Sequence, residues 1–361
     1  MSKKRIVIVG AGAVINSHIK AIQANADRVE LLAVSDLRED RVKEVCELYD
    51  IPKGYTDTQQ MIAEQKPDLI HVITPPATHL KLIPECLETG AWVLSEKPLC
   101  RSLAEFDVIS EAEKRTGNYV STIFQWRFGS AGKHMKKLIE AEALGKPMVI
   151  TCNTMWYRTQ AYYEAPWRGT FKNETGGPTT TLGVHLTDFM LFLMGNWAEV
   201  RAIADTLDHD IEVEDLSMAH VRFENNARAS IVNSVLSPRQ ETYLRMDFQK
   251  ATVELKALYR YTNENWTFST HPDLEDPEIQ AQWDALDVDF MGSHDQQLSE
   301  VLDAMDSNTR PPVSGDEARR IVEFNASLYK SAFTGTPVQR GSITPDDPYY
   351  YSNNGAPEMM E

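Results

Sequence analysis

The stretch RIVIVGAGAVINSHIKAI, Arg5 to Ile22, decides how the chain folds. A β-rich run ends at Gly10, a second glycine follows at Gly12, and the residues beyond open a helical pattern. A strand that feeds a helix through such a turn points backbone N–H groups toward a pyrophosphate at the helix N-terminus. Gly10 permits the tight turn and Gly12 the close approach of backbone to ligand, with Ala13 and Val14 continuing the loop. The third glycine of the usual pattern is replaced by Ile15. That position governs packing of helix on strand, so the change predicts a different helix approach with binding retained. Asp36, beside Leu37, falls at the end of the second predicted strand. A carboxylate there accepts hydrogen bonds from the adenosine ribose and repels a 2′-phosphate, predicting NAD as cofactor; the guanidinium of Arg38 keeps NADP as the alternative.

Working outward, RIVIVG (Arg5–Gly10), VELLAVSD (Val29–Asp36), LIHVIT (Leu69–Thr74) and WVLSE (Trp92–Glu96) read as strands. Helical patterns at Arg38–Tyr49 and His79–Thr89 lie between them, the latter closed by Gly90. This rhythm predicts a doubly wound parallel sheet, a Rossmann domain over residues 1–124. Beyond Phe124 alternation dominates, in MVITCNTMWY, SMAHVRF, RASIVNSVL and TYLRMDF, with an asparagine turn at Phe223–Arg228. A second α/β domain with a mostly antiparallel open sheet is expected over 125–345, followed by a surface tail at 346–361. One helix, Thr181–Met194, interrupts the strands. Residues 258–295 are weakly periodic and are expected to form a long loop, ahead of closing helices near 295–305 and 315–333.

The 361 residues carry a net charge of −17 and 42% apolar side chains. So acidic a chain lacks the clustered cations that nucleic acid or an anionic membrane surface requires. The apolar run at the start is too short for a secretion signal, and no other segment reaches the ~20 residues of a membrane span, which predicts a soluble, cytoplasmic protein. Cys46, Cys86, Cys100 and Cys152 are scattered, as buried free thiols would be, without zinc or disulfide spacing.

TTTLGVHLTD, Thr179–Asp188, places a histidine and an aspartate three residues apart after three threonines. His185 could be a proton acceptor, a metal ligand or a core histidine. Removing a hydroxyl proton needs a base with a pKa near the working pH, and histidine in the first turn of a helix suits this. Asp188 and Thr181 share its helical face, so Asp188 can orient the imidazole. His185 and Asp188 supply only two metal ligands, and no second cluster completes a site, so no metal is expected. FMLFLM, downstream, reads as core. Lys97, in SEKPL, is a second candidate, since an ammonium stabilises a developing alkoxide. WYRTQAYYEAPWRG (Trp156–Gly169) is dense in aromatic and arginine side chains that stack on sugar rings and grip polar groups. Its Tyr157, Tyr163 and Arg168 are candidate substrate contacts, as is Arg127 in QWRF at the domain crossover; Arg239 is a weaker one.

The glycine turn, VITPPATH (Val72–His79), SEKPL (Ser95–Leu99), GGPTTTLGVHLTD and RPPVSGDEARRIVEFNASLYKSAFTGTPV (Arg310–Val338) together resemble the glucose-fructose oxidoreductase, inositol dehydrogenase and MocA (Gfo/Idh/MocA) family over nearly the whole chain. The resemblance implies NAD or NADP in a Rossmann domain, and a second domain carrying a sugar, glycoside or cyclitol site and a homodimer or homotetramer interface on its sheet. It implies that Lys97 lies near substrate and nicotinamide and that His185 is the acid/base. It further implies that Thr74, Pro75, His79 and Glu96 line the cofactor cleft, and that Trp167 and Arg168 lie at the nicotinamide end. One departure stands out: many such dehydrogenases carry an aspartate where this chain has Thr181, which cannot hold negative charge. The expected activity is hydride transfer between a secondary hydroxyl and nicotinamide. Two alternatives stay open: an NAD-retaining, redox-neutral enzyme that breaks a glycosidic bond by transient oxidation and elimination, and a non-catalytic sugar sensor.

Overall fold

In the computed structural model, which describes residues 2–165, 167–274 and 277–357, strand β1 (Lys4–Val9) leads through the glycine turn into α1 (Ile15–Ala24). There follow β2 (Val29–Ser35), α2 (Glu39–Tyr49), β3 (Lys53–Tyr55), α3 (Thr58–Gln65), β4 (Leu69–Val72), α4 (His79–Glu88), β5 (Trp92–Ser95), α5 (Leu103–Thr116) and β6 (Val120–Thr122). The six strands pair in parallel in the order β3-β2-β1-β4-β5-β6. This is a Rossmann sheet, in which strand order reverses between β1 and β4 and opens a crevice at the carboxyl ends. β4 and β5 are buried along their whole length, as strands covered on both faces must be. β3 and β6 have three residues each, too few for a periodic signal, and the sequence reading passed over them.

The second half comprises α6 (Ser130–Glu140), β7 (Pro147–Tyr157), α7 (Phe171–Glu174), α8 (Pro178–Thr181), α9 (Val184–Met194), β8 (Trp197–Asp205), β9 (Leu216–Phe223), β10 (Arg228–Ser234), β11 (Leu236–Phe248), β12 (Thr252–Ala257), β13 (Trp266–Ser269), α10 (Pro277–Asp284), α11 (His294–Ser307), α12 (Asp316–Thr334) and β14 (Val338–Gln339). Its eight strands form one open sheet, β13-β12-β11-β7-β10-β9-β8-β14. All pairs are antiparallel except β7 with β10. The expected turn joins β9 to β10, with Asn226 at φ 69°. Along β7, Ile150, Cys152 and Trp156 point into the core while Val149 and Tyr157 are exposed. α9 packs on β7 and β11, and its apolar run is buried all round, as such a helix must be.

Three expectations are corrected. The chain forms two compact units, one from the chain up to Ile123 with His294–Arg319, the other from Phe124–Ser293 with the chain from Arg320 on. The division at 124/125, with a contiguous 125–345 domain, misses the return of α11 to the first unit. Leu298, Val301 and Leu302 of α11 join Ile15, Ile19 and Ile22 of α1 in one buried cluster. Arg28 clasps the same helix through Asp303 at 2.8 Å and Asp306 at 3.0 Å. An amphipathic pattern names a buried face but not the partner that buries it. Secondly, 258–295 is not one loop: it contains β13 and α10, with residues 275 and 276 outside the described part. Thirdly, the tail is no separate segment. Asp347 pairs with Lys330, Asn353 Nδ2 donates to the Thr175 carbonyl at 2.9 Å, and Tyr350 and Ser352 are buried; residues 358–361 lie outside the described part. The four cysteines are free, three of them buried. Among the described residues, no helix is long and apolar enough to cross a membrane.

Candidate functional site

In the first unit the carboxyl edge of the sheet gathers the glycine turn, Asp36, Thr74–Pro75 and Glu96–Lys97. Gly10 has φ 101°, and a Cβ there would meet Thr74 Cγ2 at 3.0 Å and the Ile73 backbone at 3.1 Å, so only glycine fits. At Gly12 the nearest atom to such a Cβ is 3.9 Å away, leaving the loop's backbone open ahead of α1. An open backbone at a helix N-terminus is what a pyrophosphate requires, so these residues fit a dinucleotide. Ile15, in place of the third glycine, is buried in the core beneath the sheet edge.

Asp36 braces this loop: its Oδ2 accepts from Ala11 N–H at 2.9 Å and its Oδ1 from Arg38 N–H at 3.0 Å. Arg41, which the sequence reading passed over, donates from Nε to the Ala11 carbonyl at 2.7 Å. The Arg38 guanidinium is 64% exposed and stands 3.9 Å from Asp36 Oδ1, with Leu37 exposed beside it. Thr74 bonds Thr78 through their hydroxyls at 2.6 Å, and Thr78 caps the Pro75 carbonyl at 2.8 Å. His79 is placed behind this segment and not in the cleft. It is fully buried, with Nε2 2.9 Å from the Thr74 carbonyl and Nδ1 3.1 Å from that of Leu99, so it ties the exits of β4 and β5 together. Its pKa is lowered because burial disfavours the imidazolium, although both carbonyls favour it.

Glu96 is the centre of a buried polar cluster of which the sequence showed one member. Its Oε1 lies 3.1 Å from His18 Nε2 and 3.2 Å from His294 Nε2, while His18 Nδ1 lies 3.0 Å from His71 Nδ1. The Lys97 N–H donates to Glu96 Oε2 at 3.2 Å. Burial alone would raise the Glu96 pKa, but hydrogen bonds from the two histidines hold it well below the usual carboxylate range. His18 and His71 are shifted down, chiefly by burial, with His71 well below its ordinary value. Ligand-type atoms of His18, Glu96 and His294 all lie within 4.8 Å of one another. They come from positions so distant in sequence that no spacing rule could have joined them.

In the second unit the Thr179–Asp188 stretch is two helices. They part at Leu182, whose φ of −121° and ψ of −57° lie outside the helical region, and the next residue, Gly183, has no room for a side chain, since a Cβ there would fall 1.9 Å from Asn233 Oδ1. Thr181 therefore does not share a helical face with His185, and its hydroxyl donates to the Gly177 carbonyl at 2.8 Å. Thr179 and Thr180 are buried, the former bonded to Ser217 Oγ at 2.7 Å. Glu214 holds the preceding glycine turn, accepting from Gly177 N–H at 2.8 Å, Thr179 N–H at 3.1 Å and the Tyr329 hydroxyl at 2.9 Å. Burial nonetheless raises its pKa above the ordinary carboxylate value.

His185 is the second residue of α9, 5% exposed, with the rings of Phe124 and Tyr259 edge-on at 6.3 and 5.7 Å. Asp188 has a partner the sequence reading did not weigh. Arg127 Nε donates to Oδ2 at 2.7 Å and a terminal nitrogen to Oδ1 at 2.5 Å, the two side chains being 3% and 1% exposed. Arg127, expected to face the cleft, is thus a buried residue whose guanidinium also lies over the Phe192 ring at 5.2 Å.

The aromatic loop is equally organised. The Arg168 guanidinium stacks on Tyr162 at 3.9 Å and Trp167 at 4.0 Å and pairs with Glu174 at 2.8 Å. Tyr163 packs edge-on to His209, Tyr157 and Trp167 are exposed, and Pro166 lies outside the described residues. Arg239 is exposed and pairs with Glu241 at 3.3 Å. This loop offers flat apolar surface beside a fixed cation.

Two family models match the chain: "Oxidoreductase family, NAD-binding Rossmann fold" over residues 4–124, and "GFO/IDH/MocA C-terminal domain" over residues 133–254. The chain is similar to the myo-inositol 2-dehydrogenase of Thermotoga maritima, 29% identical over 236 residues that span 64% of this chain and 68% of that protein. It is 23% identical to the D-glucoside 3-dehydrogenase of Escherichia coli over 360 residues, 94% of this chain and 98% of that one. Among solved structures, the WlbA dehydrogenase from Bordetella pertussis, in complex with NADH and UDP-GlcNAcA, matches with a TM-score of 0.81 at 26% identity, covering 94% of this chain and 99% of that one.

Proposed function

For a chain that belongs to the Gfo/Idh/MocA family of NAD(P)-dependent oxidoreductases, we propose dehydrogenation of a secondary hydroxyl on a sugar, glycoside or cyclitol. The observation that carries this reading is the carboxyl edge of the first sheet, where the open Gly10–Gly12 backbone, Asp36 and Lys97 come together. The substrates and the bound ligand named for the relatives, inositol, D-glucosides and an N-acetylated sugar nucleotide, share a ring secondary alcohol.

Bound NAD(P) supplies the hydride acceptor or donor at its nicotinamide. Gly10, Gly12, Ala13, Val14 and the start of α1 would hold its pyrophosphate, and Asp36 its adenosine ribose, favouring NAD. Lys97 donates a hydrogen bond to the reacting oxygen and stabilises charge as its proton leaves. His185 takes that proton, or returns it in the reverse direction. Asp188 acts on this region through Arg127, so the pair fixes the start of α9 and hence the imidazole. Trp167, Arg168, Tyr157 and Tyr163 provide stacking faces and a guanidinium for the ring and its substituents.

The subunits associate through the exposed face of the second sheet, where Ile203, Met218 and Val232 lie side by side on β8, β9 and β10. Ile203 and Met218 are half exposed, more apolar surface than a solvated strand pair needs.

Incubating the protein with NAD and a panel of inositols, free sugars, alkyl glucosides and sugar nucleotides, while following reduced nicotinamide, tests the activity. NADH formed in proportion to an oxidised ring carbon is the expected result. Cleavage of a glycoside without net NADH would replace this reading with the redox-neutral one.

A further inference from the structure

Four elements of the first unit converge on the exit of β5: α1 brings His18, β4 brings His71, the β5 exit itself carries Glu96, and His294 opens α11. His18 and His71 have no solvent exposure, and Glu96 and His294 are nearly as enclosed. Buried polar atoms at these separations must be paired as donor and acceptor, and one arrangement of protons pairs all but one of them. An ionised Glu96 only accepts, so the Nε2–H groups of His18 and His294 both donate to it. The remaining His18 nitrogen, Nδ1, is then a lone pair and receives the Nδ1–H of His71. What is left over is His71 Nε2, buried and without a partner. A bare lone pair costs less there than an unpaired N–H, which is the second reason for this direction.

We propose that His18 and His294 are positioning residues for Lys97. The inference rests on the role given to Lys97 above. With Oε1 occupied by the two imidazoles, the Glu96 carboxylate is locked in rotation, and Oε2 is left aimed at the Lys97 N–H. That bond fixes the backbone from which the lysine side chain departs. His294 reaches this point from a segment that follows Phe124–Ser293 of the second unit, so α11 is a working part of the lysine's mounting as well as a cover for α1. The hydrogen bonds close without an ion, and the trio is therefore assigned to positioning and not to a metal centre.

The test compares His294→Leu, His294→Asn, His294→Gln and His18→Gln with the unaltered protein, with Lys97→Ala as a control. Glutamine places an amide N–H where Nε2–H stood; asparagine is too short to reach Glu96. Two readouts are taken: amide hydrogen exchange of the peptide containing Lys97, and kcat and KM for NAD with myo-inositol or methyl β-D-glucoside, whichever is turned over. His294→Leu and His294→Asn are expected to lower kcat by roughly 10–100-fold, as loss of an orienting partner does, with KM for NAD little changed. The Lys97 amide should exchange faster in both, and His294→Gln should restore exchange and kcat; His18→Gln keeps the donor to Glu96 and should hold the Lys97 amide, although it removes the acceptor of the His71 Nδ1–H. Should His294→Leu fail to fold, the asparagine and glutamine pair decides.

Folded leucine and asparagine variants with unaltered exchange and kcat would overturn the proposal. So would a His294→Gln variant that folds yet fails as badly as leucine, or a stoichiometric transition metal retained by the purified protein. An active Lys97→Ala protein would instead sink the role given to Lys97, with the exchange data still deciding whether the histidines hold its backbone.

Discussion

Arg127 and Asp188 form a two-bond pair almost wholly removed from water. Replacing one member strands the other as a buried charge, which typically costs about 3–5 kcal/mol. Asp188→Ala should therefore lower unfolding stability by about that amount in urea denaturation, far more than loss of a surface pair. A loss below about 1 kcal/mol would mean that water reaches the pair. At Lys97 the effect belongs to chemistry and not to stability. Lys97→Ala should reduce kcat by roughly 10²–10³-fold, the range for removing one donor to a developing oxyanion, while the melting temperature stays put. Both residues stand out in the sequence, which suggests a role for each, but the partner of Asp188 is decided only in the folded chain. Asp188 lies three residues from His185, and local spacing nominated that neighbour. Arg127, its partner, lies 61 residues away along the chain.

Among elements, the glycine turns are the least tolerant of change. A Cβ on Gly177 would fall 1.8 Å from the Glu214 carbonyl oxygen, a backbone atom that cannot yield. Gly177→Ala should displace the segment carrying Thr179 and Thr181, visible as a lower melting temperature and a reduced yield of folded protein. At Gly10 the backbone itself forbids a side chain, with φ at 101° and Thr74 in the way. Gly10→Ala should weaken NADH binding in a fluorescence titration by at least ~10-fold, because a strained turn misaims the N–H groups that hold the pyrophosphate. The first of these turns was legible, since strand, glycines and helix are contiguous. The break between α8 and α9 was not, for it falls at Leu182, whose φ of −121° lies outside the helical region. No helical periodicity in Thr181–Met194 records that departure.

At the scale of the whole molecule, three fully buried histidines set the acid limit of stability. Burial lowers the pKa of His18, His71 and His79 below the ordinary 6.5. Above that value folded and unfolded chains are alike neutral at these sites, and the fold keeps its full stability. Below it the unfolded chain takes up protons that the fold refuses, so stability falls, by at most about 1.4 kcal/mol per pH unit for each site. Glu96 works in another window: its folded pKa lies well below the carboxylate range, so its contribution is intact above pH ~4.3 and disappears only at still lower pH. Melting temperature should thus decline from pH 7 to 5, and replacing His71 with leucine should flatten the decline; an unchanged slope would show that His71 is protonated in the fold. Association belongs to the same scale. Met218→Lys on the exposed sheet face should lower the sedimentation coefficient without altering the far-UV spectrum.

What the sequence by itself determined about this protein is whatever depends on neighbours along the chain. The Rossmann turn, the alternation of the second sheet, the family and the chemistry available to Lys97 and His185 all rest on short windows. Periodicity is a local property, and a glycine's freedom or a lysine's charge travels with the residue. Only the tertiary structure decided which groups pair once buried: Asp188 with Arg127, Glu96 with His18 and His294, and Glu214 with the Gly177 turn. It also decided that α11 completes the unit begun by β1. The reason is that a buried polar or apolar group must find a complement somewhere, and the chain can supply it from any distance in sequence.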